Sequence, residues 1–435
     1  MIDSFDTVFA PSSAIGGAIC VIRVTGDRTR AIAEKLLDKP VHTRPNLLRH
    51  VHILRDGDVI DDCMAVFFAH PFSYTGEDML ELHCHGGMTT VRCVLSALSA
   101  AGGVPAGPGE FTRRAFLNGK MDLSEAEAVM DVINAQAENS LRSALEQLSG
   151  SVSRRVRAVE DRLLNARSAI EAAIDYPDEA EEAAYASLKT DLRIAREIIA
   201  ALIKEGRKAR VLRDGLKLVI VGRPNVGKSS LLNALLGEDR AIVTAAAGTT
   251  RDVLDERLSV GGVPVRLIDT AGVREANDEA ERIGVDRARK ALETADVVLL
   301  VLDGSNPKTP EDEALLAETA DRTRIILANK CDLGTCIPEA LPISCRTGEG
   351  IDTLCRQIAA IAEPAAQSTS AITNERHLTA LEQALTAVEH AGEQTEPDCI
   401  ATDLCEALHR LGSITGTDVD AEVVDRIFKN FCVGK

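Results

Sequence analysis

The first 118 residues alternate short apolar runs with turn residues, a pattern that is typical of a domain built from strands and helices. Apolar side chains recur every three or four positions over 89–101, which predicts a helix. Asp56-Gly57 lies between two of the runs and predicts a turn. The runs with strand character are 18–24, 50–54, 63–69 and 79–83. We therefore expect residues 1–118 to form an α/β domain.

The pattern becomes helical after residue 118. Ser124-Glu125-Ala126-Glu127 is a capping-box sequence, which marks the start of a helix. Ala, Leu, Glu and Arg then recur at helical spacing to about residue 174, Tyr176-Pro177-Asp178 interrupts the pattern, and helix is expected again over 188–211. Residues 119–214 are therefore expected to be one part of a helical domain.

A second helical stretch is predicted over 363–435. It follows a sequence at 363–370 that has the composition of a linker, and breaks are expected near Pro397 and Gly412. Between the two helical stretches, over 215–362, strand-like apolar runs alternate with helices. The simplest architecture is a multidomain one, in which an α/β domain over 215–362 is inserted into an all-α domain behind the N-terminal α/β domain.

Composition limits the classes of protein that fit. The chain has 435 residues, enough for two to four domains, and 45% are hydrophobic. No apolar run reaches membrane length, and the first residues do not resemble a secretory signal. The 11 cysteines lack paired C-x-x-C spacing, which favours reduced thiols in a cytoplasmic location. A net charge of −18 with 3% aromatics disfavours a nucleic-acid coat protein or a base-stacking platform.

One stretch carries the clearest chemistry: Gly222-Arg223-Pro224-Asn225-Val226-Gly227-Lys228-Ser229. It matches the phosphate-loop pattern and lies between a strand-like run at 216–221 and a helix-like run at 230–236. Backbone N–H groups of such a loop, together with the helix N-terminus, bind phosphates. Lys228 is expected to reach the β- and γ-phosphates, and Ser229 to hold Mg²⁺.

Three further motifs each end a strand-like run: Asp269-Thr270-Ala271-Gly272, Asn329-Lys330-Cys331-Asp332 and Ser344-Cys345-Arg346. The Asp332 carboxylate can accept bonds from the ring N–H and the amino group of guanine, which adenine does not offer in that place. The predicted nucleotide-binding residues are Asn225, Val226, Gly227, Lys228, Ser229, Ser230, Thr244, Thr249, Thr250, Asp269, Thr270, Ala271, Gly272, Asn329, Lys330, Asp332, Ser344, Cys345 and Arg346.

Hydrolysis requires further groups. Thr250 is the expected switch threonine, which binds Mg²⁺ and senses the γ-phosphate. Val273 stands where Ras-type enzymes have a water-orienting Gln, so another route is needed. Asn225 could hold K⁺ against the phosphates, or it could only brace the loop; Glu281 could position water, or it could be an ordinary solvated carboxylate. The predicted K⁺ site comprises Asn225 with Thr244, Ala246 and Thr249.

The four nucleotide motifs resemble those of the TRAFAC class of GTPases, and other residues narrow the resemblance to the MnmE (TrmE) family. These are Gly248-Thr249-Thr250-Arg251-Asp252, Tyr74-Thr75-Gly76-Glu77-Asp78, the stretch from Arg113 to Leu123, and Phe431-Cys432-Val433-Gly434-Lys435. The resemblance covers the whole chain. It implies a folate-binding-like α/β domain, a split helical domain and an inserted Ras-like P-loop GTPase domain.

The resemblance also implies a function. Members of this family are GTP hydrolases that work as homodimers and with an FAD-dependent partner, MnmG (GidA), in a heterotetramer. They add an aminomethyl-type group to C5 of the wobble uridine of certain tRNAs. The carbon comes from 5-formyltetrahydrofolate or a related folate, and hydrolysis depends on K⁺. By motif, Arg23, Glu81, Lys120 and Lys435 would line the folate site.

The role of Cys432 and the overall function each keep an alternative at this stage. Cys432 could act as a nucleophile or acid, or it could pack in a core. His83 and His85 are expected to share one strand face while Cys84 lies on the other, so we predict no metal there. A regulatory GTPase that controls the docking of a partner, without modification chemistry, is the alternative function.

Overall fold

The computed structural model describes residues 6–135, 137–175, 177–238, 256–260, 263–268, 292, 294–366 and 372–435. The chain divides into two compact units: residues 1–130 with 409–435, and residues 131–408. No helix in the described ranges is long and apolar enough to cross a membrane. The predicted boundaries near residues 118, 214 and 362 stay predictions.

The first unit contains a six-stranded sheet in the order β3-β4-β5-β2-β1-β6. Its neighbours pair antiparallel except β1 and β6, which are parallel. The strands are β1 Val8–Pro11, β2 Ile19–Thr25, β3 Arg49–Arg55, β4 Asp58–Phe68, β5 Met79–His85 and β6 Val104–Pro105. The helices are α1 Thr29–Leu36, α2 Met88–Ala100, α3 Glu110–Leu117 and α4 Leu123–Asn134, of which α4 runs from the first unit into residues 131–134 of the second. The strand runs and the helix predicted for this region are confirmed.

Burial alternates along the strands of this sheet, as the period of two in side-chain direction requires. On β5, Leu80 and Leu82 enter a core that also contains residues of α1 and α2, such as Ile32 and Val94. Glu81 and His83 alternate with these leucines, lie on the opposite face and are only partly buried. One face of the sheet is thus covered by helices, and the other carries polar side chains.

The second unit begins with helices α5 Glu138–Leu148, α6 Ser151–Asp175 and α7 Pro177–Asp214. The predicted interruption is wrong at Pro177 and Asp178, which are helical, and Tyr176 lies outside the described residues. The prediction that helix resumes only at 188 is wrong, because α7 starts at Pro177. Proline suits a first helical position, and the Ala- and Glu-rich sequence that follows favours helix.

The sheet of the second unit has the order β12-β11-β10-β7-β9-β8, with every pair parallel except β8 and β9. Residues 297–302 of β10 are all buried, as expected for a parallel strand covered on both faces. The elements are β7 Leu216–Val221, α8 Lys228–Glu238, β8 Glu256–Val260, β9 Val263–Ile268, β10 Val297–Asp303, α9 Pro310–Glu318, β11 Arg324–Asn329, β12 Leu341–Pro342, α10 Ile351–Ala366 and α11 Glu375–Glu393.

Two helices complete the chain, α12 Pro397–Thr415 and α13 Ala421–Lys429. The predicted break at Pro397 is confirmed as the start of α12. The break predicted near Gly412 lies a few residues further on, because α12 continues to Thr415, Gly416 follows with a φ of +85°, and α13 begins at Ala421. A Cβ on Gly412 would lie 2.9 Å from Thr417 Oγ1, so this glycine admits the returning chain instead of ending the helix. The linker prediction is wrong at 363–366, which are helical.

Candidate functional site

The phosphate loop joins β7 to α8 and depends on backbone conformations that glycine and asparagine adopt most easily. Gly227 has a φ of +102° and Asn225 a φ of +64°. A Cβ on Gly222 would lie 2.4 Å from the Val301 carbonyl oxygen, and one on Gly227 would lie 2.1 Å from Asn329 Nδ2. Close contacts therefore exclude a side chain at both Gly222 and Gly227, and the positive φ of Gly227 is a second reason for glycine at that position.

Lys228 is the first residue of α8, and its side chain turns back into the loop. Its Nζ donates to the Gly222 carbonyl at 2.7 Å and to the Arg223 carbonyl at 2.8 Å. Burial lowers the pKa of Lys228. An anion bound by the loop N–H groups would stabilise the charged form of this buried ammonium group. Ser229 and Ser230 follow on the exposed first turn of α8.

Arg223 connects the loop to α9, a contact that the sequence analysis did not predict. Its Nε donates to Asp312 Oδ1 at 2.7 Å, and Asp312 is buried. Asp312 also closes the capping box of α9 with Thr309. The capping signature is visible in the sequence, but the arginine that completes this network lies 89 positions away.

Asn329 joins the three described nucleotide motifs. Its Nδ2 donates to the Val226 carbonyl in the phosphate loop at 2.8 Å, and its Oδ1 accepts from the Cys345 N–H at 3.2 Å. The side chain is almost completely buried at the carboxyl end of β11. Because both ends of the amide are used, this residue holds the phosphate-binding and base-binding segments in register.

Asp332 lies just beyond β11 and presents both carboxylate oxygens. Oδ1 accepts from Ser344 Oγ at 2.6 Å, and Oδ2 pairs with an Arg346 nitrogen at 2.7 Å. The Ser344 hydrogen bond holds the pKa of Asp332 below its ordinary value. The charge of Arg346 lowers this pKa further, and burial opposes both effects. Lys330, with a φ of +67°, donates to Asp303 Oδ2 at 2.7 Å. An ionised acceptor of this kind suits the paired donors of guanine.

Several predicted residues lie outside the described ranges: Thr244, Ala246, Thr249, Thr250, Asp269, Thr270, Ala271, Gly272 and Glu281. Their roles, including most of the K⁺ site and the switch threonine, stay predictions. Asn225, the remaining member of the predicted K⁺ site, is exposed at the top of the loop.

A second group of predicted residues meets in the first unit, on the sheet face away from α1 and α2. Arg23 and Glu81 are directly opposed on β2 and β5, and Arg23 Nε donates to Glu81 Oε1 at 2.7 Å. The Arg23 guanidinium lies over the Tyr74 ring, 5.4 Å from its centroid. Burial lowers the pKa of Lys435, and the Arg23 charge lowers it further against the opposing effects of Cys432 and Glu81. We call Arg23, Tyr74, Glu81 and Lys435 the sheet-face cluster.

Backbone contacts hold the last residues of the chain beside this face. The Phe111 N–H donates to the Lys435 carbonyl at 3.2 Å, and the Gly109 N–H donates to the Cys432 carbonyl at 3.3 Å. Gly434 has a φ of +93°, and a Cβ there would lie 2.0 Å from the Pro11 carbonyl oxygen. The thiol-bearing Cys432 is exposed, so it does not pack in a core.

Lys120 has a different environment. Its Nζ donates to the Pro71 carbonyl at 3.0 Å, and its stem lies close to Gly76. These contacts place Lys120 against the 71–76 loop, which also carries Tyr74 of the sheet-face cluster, and its role in folate binding stays a prediction. The strand-face prediction for His83 and His85 is confirmed, since Cys84 enters the core while His85 pairs through Nδ1 with Asp61 at 2.7 Å.

The phosphate loop lies between strand β7 and helix α8, and Asn329 and Asp332 lie at the end of a nearby strand of the same sheet. Together they define a Ras-like P-loop GTPase domain within a larger chain. Family models agree: "GTP-binding protein TrmE N-terminus" matches residues 7–120, and "MnmE helical domain" matches residues 123–432. The chain belongs to the MnmE family of tRNA modification GTPases, and it is accordingly a GTP-hydrolysing enzyme.

Curated relatives share the full length of the chain. The tRNA modification GTPase MnmE of Chloroflexus aurantiacus is 44% identical over 452 residues, covering 99% of this chain and 100% of the relative. That of Levilactobacillus brevis is 40% identical over 457 residues, covering 99% and 98%. Among solved structures, the G domain of the T. maritima FeoB iron transporter covers 34% of this chain and 98% of its own, with 29% identity and a TM-score of 0.26.

Proposed function

We propose that this chain couples GTP hydrolysis to the modification of C5 of the wobble uridine in certain tRNAs, with a formyl-tetrahydrofolate as carbon donor and an FAD-dependent protein as partner. The proposal refines the established family activity. The observation that carries it is the sheet-face cluster, which brings Arg23, Glu81 and Lys435 together from three distant parts of the sequence.

The cluster has the chemistry that a reduced folate needs. A carboxylate such as Glu81 can accept two hydrogen bonds from the amino and ring N–H groups of a pterin. Arg23 orients the Glu81 carboxylate through their 2.7 Å hydrogen bond, and the cation of Lys435 suits the carboxylates of a glutamate tail. Tyr74 supplies an aromatic face, and its hydroxyl bonds to Thr112 at 2.9 Å, which fixes the ring. Lys120, whose Nζ bonds to the 71–76 loop, is proposed to act at the rim of this site.

The nucleotide site is proposed to work with Mg²⁺ and K⁺. Ser229 and Thr250 would hold Mg²⁺, and Asn225 with the carbonyl groups of Thr244, Ala246 and Thr249 would hold K⁺, which supplies positive charge against the phosphates in place of an arginine finger. Glu281 is proposed to position the attacking water. The chain's described residues contribute Lys228 for phosphate charge and Asp332 for the base.

The remaining parts of the proposal concern assembly and transfer. The chain is proposed to act as a homodimer through its N-terminal domain and to assemble with the FAD-dependent partner. The exposed position of Cys432, two residues from Gly434 and near the sheet-face cluster, supports a role for its thiol as nucleophile or acid during transfer.

Calorimetric titration of the full chain with 5-formyltetrahydrofolate tests the folate step. Arg23→Ala and Glu81→Gln should each weaken binding about tenfold or more, as expected for charged hydrogen-bonding groups. GDP binding should be unchanged in both variants. Arg30→Ala is the matched control, because Arg30 also pairs with a carboxylate, Asp78 at 3.5 Å, and also lies over an aromatic ring, Phe67 at 5.9 Å. Equal folate affinity in all four proteins would show that the site is misplaced.

A further inference from the structure

Two histidines and one aspartate meet on the exposed surface of the N-terminal sheet, away from the sites described above. His50 and His52 lie two positions apart on β3, so both imidazoles project from the same strand face. Asp62 on β4 is the direct cross-strand partner of His52, and it forms an ion pair with His50 Nε2. One ring nitrogen of each histidine and one Asp62 oxygen lie within 4.8 Å of one another.

A fourth residue orients one of the imidazoles. Asp38 Oδ2 accepts from His52 Nδ1 at 2.8 Å, and Asp38 Oδ1 accepts from the His52 backbone N–H at 2.8 Å. The Asp38 N–H in turn donates to the His52 carbonyl at 3.2 Å, beside a bridge between Leu37 and Ile53. This arrangement places the proton of the neutral His52 ring on Nδ1, so the Nε2 lone pair is the one that can bind a metal ion. A carboxylate behind a histidine is the usual outer support of a zinc ligand.

We propose that His50, His52 and Asp62 bind a divalent transition-metal ion of the zinc class, with Asp38 as a positioning residue. Two nitrogens and one carboxylate oxygen suit Zn²⁺ and its first-row neighbours, whereas Mg²⁺ and Ca²⁺ prefer oxygen donors only. Three protein ligands leave at least one coordination position open to water or to a donor from another molecule.

The geometry allows the donors to close around an ion. Donor atoms of a tetrahedral zinc site lie roughly 3.3 Å apart, since each is about 2.0 Å from the metal. The side chains of His50 and Asp62, which already pair directly, are 55% and 56% exposed, so small rotamer changes can open this pair around an ion and bring both donors toward His52 without disturbing the core. Lys39, which lies 4.0 Å from Asp38 Oδ2 and donates to the His50 carbonyl, offsets one of the two carboxylate charges.

Other histidine–aspartate pairs do not form such a group. His409 pairs with Asp418 at 2.7 Å, and His85 pairs with Asp61, but among the described residues neither pair belongs to a group of three donors within 4.8 Å of one another. Within the described ranges, the His50 group is the one place where three His, Cys, Asp or Glu donors come together. His409 therefore provides a matched control that has the same pair chemistry without the site.

Titration of the metal-free full chain with Co²⁺, in excess Mg²⁺, tests the proposal by visible absorption. One Co²⁺ per chain should bind with the weak visible bands of nitrogen and oxygen ligation and without the strong near-ultraviolet band of a thiolate. His50→Ala and His52→Ala should each weaken binding at least tenfold, and His409→Gln should leave it unchanged. Asp38→Asn should weaken binding about tenfold with an altered spectrum, and Asp38→Glu should restore both.

All these side chains are on the surface, so the variants should keep the circular dichroism spectrum and melting temperature of the parent. A His50→Ala/His52→Ala double variant that binds Co²⁺ with the affinity and spectrum of the parent would overturn the proposal. So would a parent spectrum dominated by thiolate ligation that the double variant retains.

Discussion

The nucleotide site and the sheet-face cluster place their charged groups by different means. In the nucleotide site, Lys228 follows β7 after the phosphate loop and Asp332 follows β11 after two residues, and the parallel strands of one sheet bring them to the same edge. In the sheet-face cluster, Arg23 and Glu81 meet across an antiparallel pair, and bonds from Ser12 to Gly434 and from Phe111 to Lys435 hold Lys435 within electrostatic range of them. Each motif of the first site is local in sequence, whereas the charged groups of the second meet only through long-range packing.

The largest effect should come from Gly227→Ala in the nucleotide site. The added Cβ would lie 2.1 Å from Asn329 Nδ2 at a φ of +102°, which breaks the bond from Asn329 to the loop. GDP affinity should fall on the order of a hundredfold or more, because strain adds to a lost buried hydrogen bond. Gly237→Ala is the control, since a Cβ at that residue would have no neighbour within 4 Å. Equal nucleotide affinity in the two variants would contradict the geometry of the loop.

Asp332→Asn should change base selection. The amide keeps one acceptor but replaces the other with a donor, so GTP affinity should fall roughly ten- to a hundredfold while xanthine nucleotides gain. Competition binding of GTP and XTP measures both effects. Asp352→Asn, at an exposed first-turn position of α10, should change neither. Unchanged GTP affinity in the Asp332 variant would refute its role.

The contrast between the two sites explains what the sequence could predict. The phosphate loop and the guanine motif are contiguous, and their backbone requirements are visible in Gly222 and Gly227. Arg223–Asp312 and the position of Lys120 against Pro71 depend on segments far apart in the chain, so no local pattern reveals them. Gly412 misled the helix prediction because it accommodates a tertiary contact, although glycine in sequence usually favours a break.

Gly434→Ala should separate the sheet-face cluster from the nucleotide site. Its Cβ would lie 2.0 Å from the Pro11 carbonyl oxygen, so the tail and Lys435 must shift. We expect about a tenfold loss of 5-formyltetrahydrofolate affinity, the scale of one charged contact, with GDP affinity unchanged. Gly57→Ala has nearly the same positive φ, +92° against +93°, but open space around the Cβ. Gly57→Ala therefore controls for backbone strain alone. An equal loss of 5-formyltetrahydrofolate affinity in the two variants would argue against a role for the tail contact.

The smallest expected effect concerns K⁺. Turnover of GTP should be severalfold higher in KCl than in NaCl at equal ionic strength, because a ring of carbonyl oxygens sized for K⁺ does not close on Na⁺. Asn225→Gly should lose most of this stimulation with little change in GDP affinity. Glycine is the informative replacement because residue 225 has a φ of +64°. Equal rates in the two salts for the parent protein would remove the cation from the mechanism.

The central claim is that both sites serve one modification reaction, and nucleoside analysis of bulk tRNA tests it most directly. A deletion strain should be complemented with the parent chain, with Asp332→Asn, with Glu81→Gln or with the Arg30→Ala control, at matched expression. We predict that the parent and Arg30→Ala restore the modified wobble uridine, while each of the two site variants leaves it largely unmodified. Full modification with either Asp332→Asn or Glu81→Gln, or unchanged wobble uridines in the uncomplemented deletion strain, would contradict the account.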